Sequence, residues 1–243
     1  MNKIDVDFDF RKDSLCGDPD KDSPKLYETH KLLWNKTLPS SKHFDLKIIS
    51  LGGNRGRLLL KNNLCDNLSS DRMCPHFDGK YNGRFGGWLS DIEREELKCK
   101  VRTIGGHIVF PAHNKNGFTI NQARGISRFI CDRFDLTLEC IQRFYKGEQS
   151  PLYDALMRYK VFFDLFVDFG GYVDFFLLRD FVDNNGRIRF FLPFDNFNRS
   201  PLPQTVNEYK QYQIHTMDLI SRRNKRIYEN TRTNENGGQA RQL

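Results

Sequence analysis

Residues Arg102 to Tyr145 read RTIGGHIVFPAHNKNGFTINQARGISRFICDRFDLTLECIQRFY and show the clearest change of pattern in the chain. The apolar, β-branched run from Ile104 to Phe110 predicts a strand. A polar loop follows it, and Thr119-Ile120-Asn121-Gln122 has the spacing of a capping box that opens a helix. We therefore expect a strand, a loop and a helix through about Cys131, with a second helix that starts near Asp135 and ends at Tyr145.

The chain before this segment predicts two helices and two strands, followed by an irregular part. Ser23-Pro24 is a typical helix start, and Ser90-Asp91-Ile92-Glu93 is a second capping box that begins a charged helix to about Lys100. Two short strands, Leu46 to Leu51 and Arg57 to Lys61, flank a glycine-rich turn. Residues 62–88 show no regular pattern.

The chain after Tyr145 combines a helix with two apolar runs. Ser150-Pro151 begins the helix, and Gly170-Gly171 is expected to end it. Tyr172 to Leu178 and Arg187 to Phe194 predict paired strands joined by the turn Asp183-Asn184-Asn185-Gly186. Their almost continuous apolar residues indicate that both faces of these strands are covered.

These elements predict a single α+β domain over residues 1–229, with a small mixed or antiparallel sheet and helices packed on it. A last helix spans about Val206 to Asn230, and the polar tail, residues 230–243, is expected to be disordered. Of the 21 phenylalanines, 14 lie between Phe129 and Phe197, so the core is predicted in the second half of the chain.

The composition bounds the location of the protein. The six cysteines show no paired motif, and the first residues lack the apolar segment of a leader, which together predict free thiols and a cytoplasmic protein. The most apolar window, Val161 to Val182, contains five charged residues, so no membrane span is expected.

The charge distribution leaves two readings open. The formal net charge is +7, and basic residues are concentrated from Ser221 to the end. Such a segment attracts a polyanion or an acidic protein, or it is only a soluble end of the chain.

The helix that starts near Ile120 carries the candidate binding residues. Asn121, Arg124, Arg128 and Asp132 recur at intervals of three or four residues, which places them on one helical face. Because the amino end of a helix attracts anions, Asn121 and Arg124 are predicted to bind one, with His113 of the preceding loop close by. The alternative is a solvated face with ordinary pairing between Arg128 and Asp132.

His107 is the second candidate for chemistry. Arg102 and His107 match the loose R-x4-H pattern of a ribonuclease superfamily in which both residues lie on a helix and the histidine assists attack by the ribose 2′-hydroxyl. Here Gly105-Gly106 and a β-branched run surround the histidine. This context contradicts the motif and favours a histidine at the edge of a sheet.

No metal or cofactor is predicted. The acidic residues from Asp18 to Asp22 lack the glycine and glutamate of a calcium loop. Cys65, Cys74, His76 and Cys99 have spacings that match no common zinc module, and Gly52 to Gly56 lacks the Gly-Lys-Ser/Thr ending of a phosphate loop.

Short motifs along the chain carry a resemblance to a known family. They are Phe8-Asp9-Phe10-Arg11, Gly17-Asp18-Pro19-Asp20, Leu33-Trp34, Leu68-Ser69-Ser70-Asp71, Thr103-Ile104-Gly105-Gly106, Ala123-Arg124-Gly125 and Asp132 to Cys140. Together they resemble a bacterial family known only as a domain of unknown function, from about Phe8 to Ile227, more weakly between Cys65 and Gly87. The resemblance implies a bacterial, intracellular, single-domain protein and carries no activity, cofactor or catalytic residue.

Two functions from different classes follow. The first is binding of an anionic ligand, either a nucleotide or a nucleic acid, within residues 107–132. Its enzymatic version is phosphodiester cleavage with His107 and His113 as catalytic residues. The alternative is a non-catalytic interaction module whose basic C-terminal helix binds an acidic protein. The sequence leaves open whether the protein is an enzyme.

Overall fold

The computed structural model of the chain describes residues 4–52, 55–60, 67–75, 77, 82–112 and 117–239. In chain order its helices and strands are α1 (Pro19–Asp22), α2 (Pro24–Trp34), β1 (Lys36–Thr37), β2 (His43–Phe44), β3 (Leu46–Gly52), β4 (Arg55–Leu60), β5 (Leu68–Arg72), α3 (Asn82–Phe85), α4 (Asp91–Val101), β6 (His107–Pro111), α5 (Ile120–Ile126), α6 (Phe134–Tyr145), α7 (Tyr153–Arg158), α8 (Lys160–Phe163), α9 (Phe169–Phe175) and α10 (Val206–Gln239). The α+β class is confirmed.

The main sheet is antiparallel and has the strand order β3-β4-β5-β6. β5 and β6 pair along their whole length, from Leu68 opposite Pro111 to Arg72 opposite His107. Between β4 and β5, the pair among the described residues is Leu58 with Leu68. The pairing that the described residues show is therefore most extensive between β5 and β6 and between β3 and β4.

The local signals at the helix starts are confirmed. Ser23 accepts a hydrogen bond from the Leu26 amide, with Pro24 at the first helical position of α2. Ser90 with Glu93, and Thr119 with Gln122, form the two predicted capping boxes. These interactions need only neighbours in sequence, which is why the pattern predicts them.

Helix α5 is shorter than predicted. It ends at Ile126 rather than near Cys131, and the chain then turns through Cys131 and Asp132, whose φ angles are 48° and 61°. Two consecutive left-handed residues are incompatible with a continuing helix. Arg128 and Asp132 therefore do not share a helical face with Asn121 and Arg124, and that part of the prediction is wrong.

The predicted strand Tyr172 to Leu178 is wrong as well. Phe169–Phe175 is helix α9, which Asp168 caps by accepting a hydrogen bond from the Gly171 amide at 2.7 Å. The predicted hairpin is reduced to one bridge, between Val182 and Ile188, around the expected turn at Asp183 to Gly186. Gly170-Gly171 lies inside the helix instead of ending one.

The aromatic core lies where the phenylalanine count places it. Phe166, Phe175 and Phe176 have ring centroids 5.0 to 5.1 Å apart, and all three rings are buried. Phe44 of β2 and Trp34 of α2 pack against this cluster from the first half of the chain. Core packing therefore joins the two halves into one hydrophobic unit.

Helix α10 runs to Gln239 and not to Asn230. It packs into the fold through buried residues of mixed character, among them Tyr212, Ile220, Arg223 and Ile227. The disorder of the tail stays a prediction. Within the described residues, no helix is both long and apolar enough to cross a membrane.

Candidate functional site

The candidate site lies where α1, the end of α4 and the strands β5 and β6 meet. Antiparallel partners point to the same side of a sheet, so Arg72 and His107, which are opposite each other, share one face. Asp20 of α1 contacts this face, and Arg102, the residue that ends α4, approaches Asp20 from the side. Four charged or titratable side chains thus converge.

His107 is fully buried and its protonation pattern is determined by one hydrogen bond. Its Nδ1 lies 2.9 Å from the Thr103 carbonyl oxygen. A carbonyl only accepts, so Nδ1 carries the proton and Nε2 of the neutral ring has a lone pair. That Nε2 lies 3.5 Å from Asp20 Oδ1, which is also an acceptor.

The pKa of His107 is lowered from its ordinary value. Burial is the main cause, the carboxylate of Asp20 opposes it, and the positive charges of Arg102 and Arg72 add to it. The ring is therefore neutral near pH 7. Two acceptor atoms then face each other in the interior, and neither receives a hydrogen bond from a described residue.

Arg102 is ion-paired loosely and is not hydrogen-bonded at two of its nitrogens. Its Nη1 lies 3.7 Å from Asp20 Oδ2 and 3.8 Å from Asp18 Oδ1, which is too far for a hydrogen bond. Its side chain is 9% exposed. Burial, assisted by the neighbouring charge of Arg72, lowers the pKa of Arg102 to about 10, so the guanidinium remains charged at neutral pH.

Arg72 is the second guanidinium of the site. Its side chain is half-buried and has no hydrogen bond or ion pair with any residue that the structure describes. Its charge acts on both Arg102 and His107. Two adjacent cations, one of them without a counterion, need an anion or solvent beside them.

Unpaired buried polar atoms concentrate at this place. They are Asp20 Oδ1, His107 Nε2, and Nε and Nη1 of Arg102. Folded proteins leave few such atoms unsatisfied, and a group of them marks a position that water or a ligand occupies.

A cavity of about 220 Å³ adjoins the cluster beside β4 and β5. Its lining is formed by Asp20, Tyr27, Leu58, Asn67, Leu68, Ser69, Ser70 and Ala112. Asp20 is therefore shared: it contacts His107 and Arg102 on one side and lines the cavity on the other.

Behind the cavity, a hydrogen-bonded chain runs from α2 to β5. Trp34 Nε1 donates to His30 Nδ1 at 3.0 Å, and His30 Nε2 lies 2.9 Å from Ser70 Oγ. Because an indole N–H only donates, His30 Nδ1 is the acceptor and Nε2 carries the proton. His30 therefore donates to Ser70 and is not a base for it, which excludes activation of Ser70 as a nucleophile by this histidine.

Arg124, predicted to bind an anion, is instead part of the protein interior. Its side chain is completely buried and pairs with Asp71. It also donates to Thr137 Oγ1 at 2.9 Å and to the Asp132 carbonyl at 2.9 Å. The guanidinium of Arg124 is therefore ion-paired and hydrogen-bonded within the fold.

The other predicted site residues do not converge. Asn121 donates to Ser69 Oγ at 2.7 Å and so lies behind the cavity. Arg128 is exposed and covers the ring of Phe129. Asp132 contributes its backbone carbonyl to Arg124, and His113 lies outside the described residues. Among the predicted site residues that the structure describes, only His107 belongs to the cluster, and Asn121 contacts Ser69 of the cavity lining.

Sequence reasoning did not assign Asp20 or Arg72 to a site. In the sequence, Asp20 belongs to an acidic run that lacks the features of a calcium loop, and Arg72 lies in a segment without strand pattern. The spacing of Arg102 and His107 matches a ribonuclease pattern, but the strand context of His107 contradicts that motif. In the structure both side chains reach the same carboxylate although they lie on different elements.

Comparison with known proteins gives a family but no function. No curated protein and no solved structure matches the chain. A family model described as a family of unknown function, DUF6994, matches residues 4–227. That match contains every residue of the cluster and of the cavity lining. The chain belongs to the DUF6994 family of unknown function.

Proposed function

We propose that the protein binds a small anionic ligand at Arg72 and Arg102, beside Asp20 and His107. The observation that carries this proposal is that both guanidinium groups have nitrogens without partners within the described residues. Arg72 has no ion pair, and two buried nitrogens of Arg102 have no hydrogen-bond acceptor. Guanidinium groups bind oxyanions through charge-assisted hydrogen bonds, often with two parallel N–H donors.

The acidic neighbours of the arginines define what kind of anion is bound. Asp18 and Asp20 both lie near Arg102, so the two arginines of the cluster stand beside two carboxylates. The cluster is therefore close to neutral, and the anion is recognised through hydrogen bonds rather than through a strong positive field. This favours a small, specific ligand over a nucleic acid, whose binding depends on a surplus of positive charge.

An enzymatic role would use Asp20 rather than His107 at the ligand. His107 is wholly buried, whereas Asp20 lines the cavity with its side chain 16% exposed. A proton exchanged with a bound ligand would therefore pass through Asp20. Phosphodiester cleavage, a nucleotide ligand and a cytoplasmic location remain predictions.

The rival function, an interaction module with a basic final helix, loses its main support. Arg223 is buried, Arg226 pairs with Asp180, and Arg222 pairs with Asp218. These contacts within the chain favour the anion site over the module, which stays a prediction.

Thermal denaturation in the presence of inorganic phosphate tests the proposal. We expect phosphate to raise the midpoint of the wild type, because a ligand that binds only the folded state stabilises it by mass action. Arg72→Gln should abolish this response. Arg128→Gln is the matched control, since Arg128 is an exposed arginine away from the cluster, and it should respond like the wild type.

The opposite outcomes are equally informative. A response that survives in Arg72→Gln and disappears in Arg128→Gln would place the anion at the surface near α5. An absence of any response to phosphate in the wild type would contradict anion binding at the cluster.

A further inference from the structure

We infer that the cavity next to the arginines binds the hydroxylated part of the ligand, so that the ligand is a sugar-like compound bearing an oxyanion. This inference rests on the proposed function and extends it from the anionic group to the rest of the molecule. It depends on which hydrogen-bonding roles the cavity residues have left unused.

Ser70 has its acceptor role filled and its donor role free. His30 Nε2–H donates to Ser70 Oγ, and the direction of this bond is determined by the Trp34 indole N–H on the other side of the ring. A serine hydroxyl has one proton to donate, and no described residue accepts the proton of Ser70. Ser70 lines the cavity, where a ligand oxygen would accept that proton.

The hydroxyl of Ser69, on the other face of β5, has the same hydrogen-bonding roles filled and free as that of Ser70. Its Oγ accepts from Asn121 Nδ2 at 2.7 Å, and no described residue accepts its proton. The two adjacent serines belong to opposite faces of the strand, and both are among the residues that line the cavity. The cavity therefore offers two hydroxyl donors.

Asp20 supplies the complementary acceptor. Its carboxylate is 16% exposed and lines the cavity, and neither oxygen accepts a hydrogen bond from a described residue, with Oδ1 being the oxygen nearer to His107. A ligand that both donates to Asp20 and accepts from two serines has hydroxyl groups, because a hydroxyl donates and accepts at the same atom. Sugars present several such groups at short spacing.

Size and position agree with this class of ligand. A cavity of about 220 Å³ is smaller than the roughly 300–1,000 Å³ typical of sites for drug-sized molecules, which favours a monosaccharide-sized group. Asp20 joins the cavity to Arg102, so a hydroxylated chain in the cavity leads directly to the anion position.

The test compares three probes by thermal denaturation: ribose 5-phosphate, inorganic phosphate and ribose. We expect ribose 5-phosphate to stabilise the wild type at lower concentration than phosphate does, and ribose alone to have little effect. Ser70→Ala should reduce the apparent affinity for ribose 5-phosphate by about 2- to 10-fold, which corresponds to one hydrogen bond. Its response to phosphate should be unchanged.

Two further variants keep the test decisive. Ser69→Ala supplies the same comparison if Ser70→Ala is poorly folded. Ser40→Ala is the control, because the Ser40 hydroxyl is buried like that of Ser70 but does not line the cavity. It should leave both responses unchanged.

The possible failures are distinguishable. If phosphate and ribose 5-phosphate stabilise the wild type equally, the inference about the cavity is overturned while the anion site stands. The same holds if both serine variants retain the full preference for ribose 5-phosphate. If neither compound has any effect, the anion site itself is contradicted.

Discussion

At the scale of single residues, Arg124 has the sequence context of an anion-binding residue but forms a buried ion pair in the structure. Its position one turn into a capped helix is typical of an anion ligand. Its partner Asp71, however, comes from β5, and the sequence gives no sign that this segment is a strand packed under α5. Burial of a charge depends on distant residues, whereas capping depends on neighbours, and for that reason only the capping was predictable.

Arg124→Gln is predicted to destabilise the protein strongly. The substitution leaves the carboxylate of Asp71 without its cation and removes donors from buried carbonyl groups, at a cost of about 3–5 kcal/mol. Urea denaturation of the variant measures this loss. Arg128→Gln, with an exposed side chain, should change the free energy of unfolding by less than about 0.5 kcal/mol. A similar small change in both variants would show that Arg124 is not held as described.

The buried histidines predict a pH dependence with a definite sign. Burial lowers the pKa of His30 well below 6.5, and burial also lowers that of His107. Below pH 6.5 the unfolded chain therefore binds protons that the folded protein excludes, and the free energy of unfolding falls as the pH falls. Each such histidine contributes up to about 1.4 kcal/mol per pH unit.

His30→Gln should make this pH dependence shallower. Between pH 6 and pH 5, we expect the variant to lose about 1 kcal/mol less stability than the wild type, because one excluded proton is gone. His43→Gln is the control, since His43 is exposed, and its slope should equal that of the wild type. Equal slopes for wild type and His30→Gln would contradict a neutral, buried His30.

At the scale of elements, the predictable parts are those with local signals. The starts of α2, α4 and α5 follow from capping residues, and β3 and β4 follow from alternation around a turn. The aromatic run from Tyr172 to Leu178 shows neither helical nor strand periodicity clearly, so its composition alone predicts a strand. The only local sign of a helix there is Asp168, three residues before the glycine amide that it caps.

Gly170 and Gly171 allow a matched test of helix α9. A Cβ atom at Gly171 would lie 2.1 Å from the Phe166 carbonyl oxygen, whereas one at Gly170 would meet only Asp168 Oδ1 at 3.3 Å. Gly171→Ala should therefore cost more than about 2 kcal/mol, because a backbone atom must move. Gly170→Ala should be near neutral, since alanine favours the helix by roughly 0.5–1 kcal/mol. Similar stabilities of the two variants would contradict the close approach of α9 to Phe166.

At the scale of the whole molecule, α10 connects the core to the candidate site. Arg223 donates to the carbonyl oxygens of Gly105 and His107 at 2.9 and 2.8 Å, and Asn224 accepts from the Gly105 amide. The final helix therefore holds the backbone that positions His107. Such long-range contacts carry no signal in sequence, where α10 is only a basic amphipathic segment.

The part of α10 beyond this contact is predicted to be dispensable. Ile227 is the last buried residue of the helix among those whose side chains are described. Deleting residues 230–243 should shift the thermal midpoint by less than about 2 °C, because this segment is polar and has no apolar periodicity. A decrease of several degrees would show that the end of the chain packs on the fold.

Anion binding at Arg72 and Arg102 is tested most directly on the Arg102 side chain. In protein labelled with ¹⁵N, the Nε–H resonance of Arg102 can be assigned by its absence from Arg102→Lys and followed during a titration with inorganic phosphate. We predict a progressive, saturable change of this resonance, because Nε is a buried donor that gains an acceptor. An Arg102 resonance that stays constant up to high phosphate concentration would contradict the anion site.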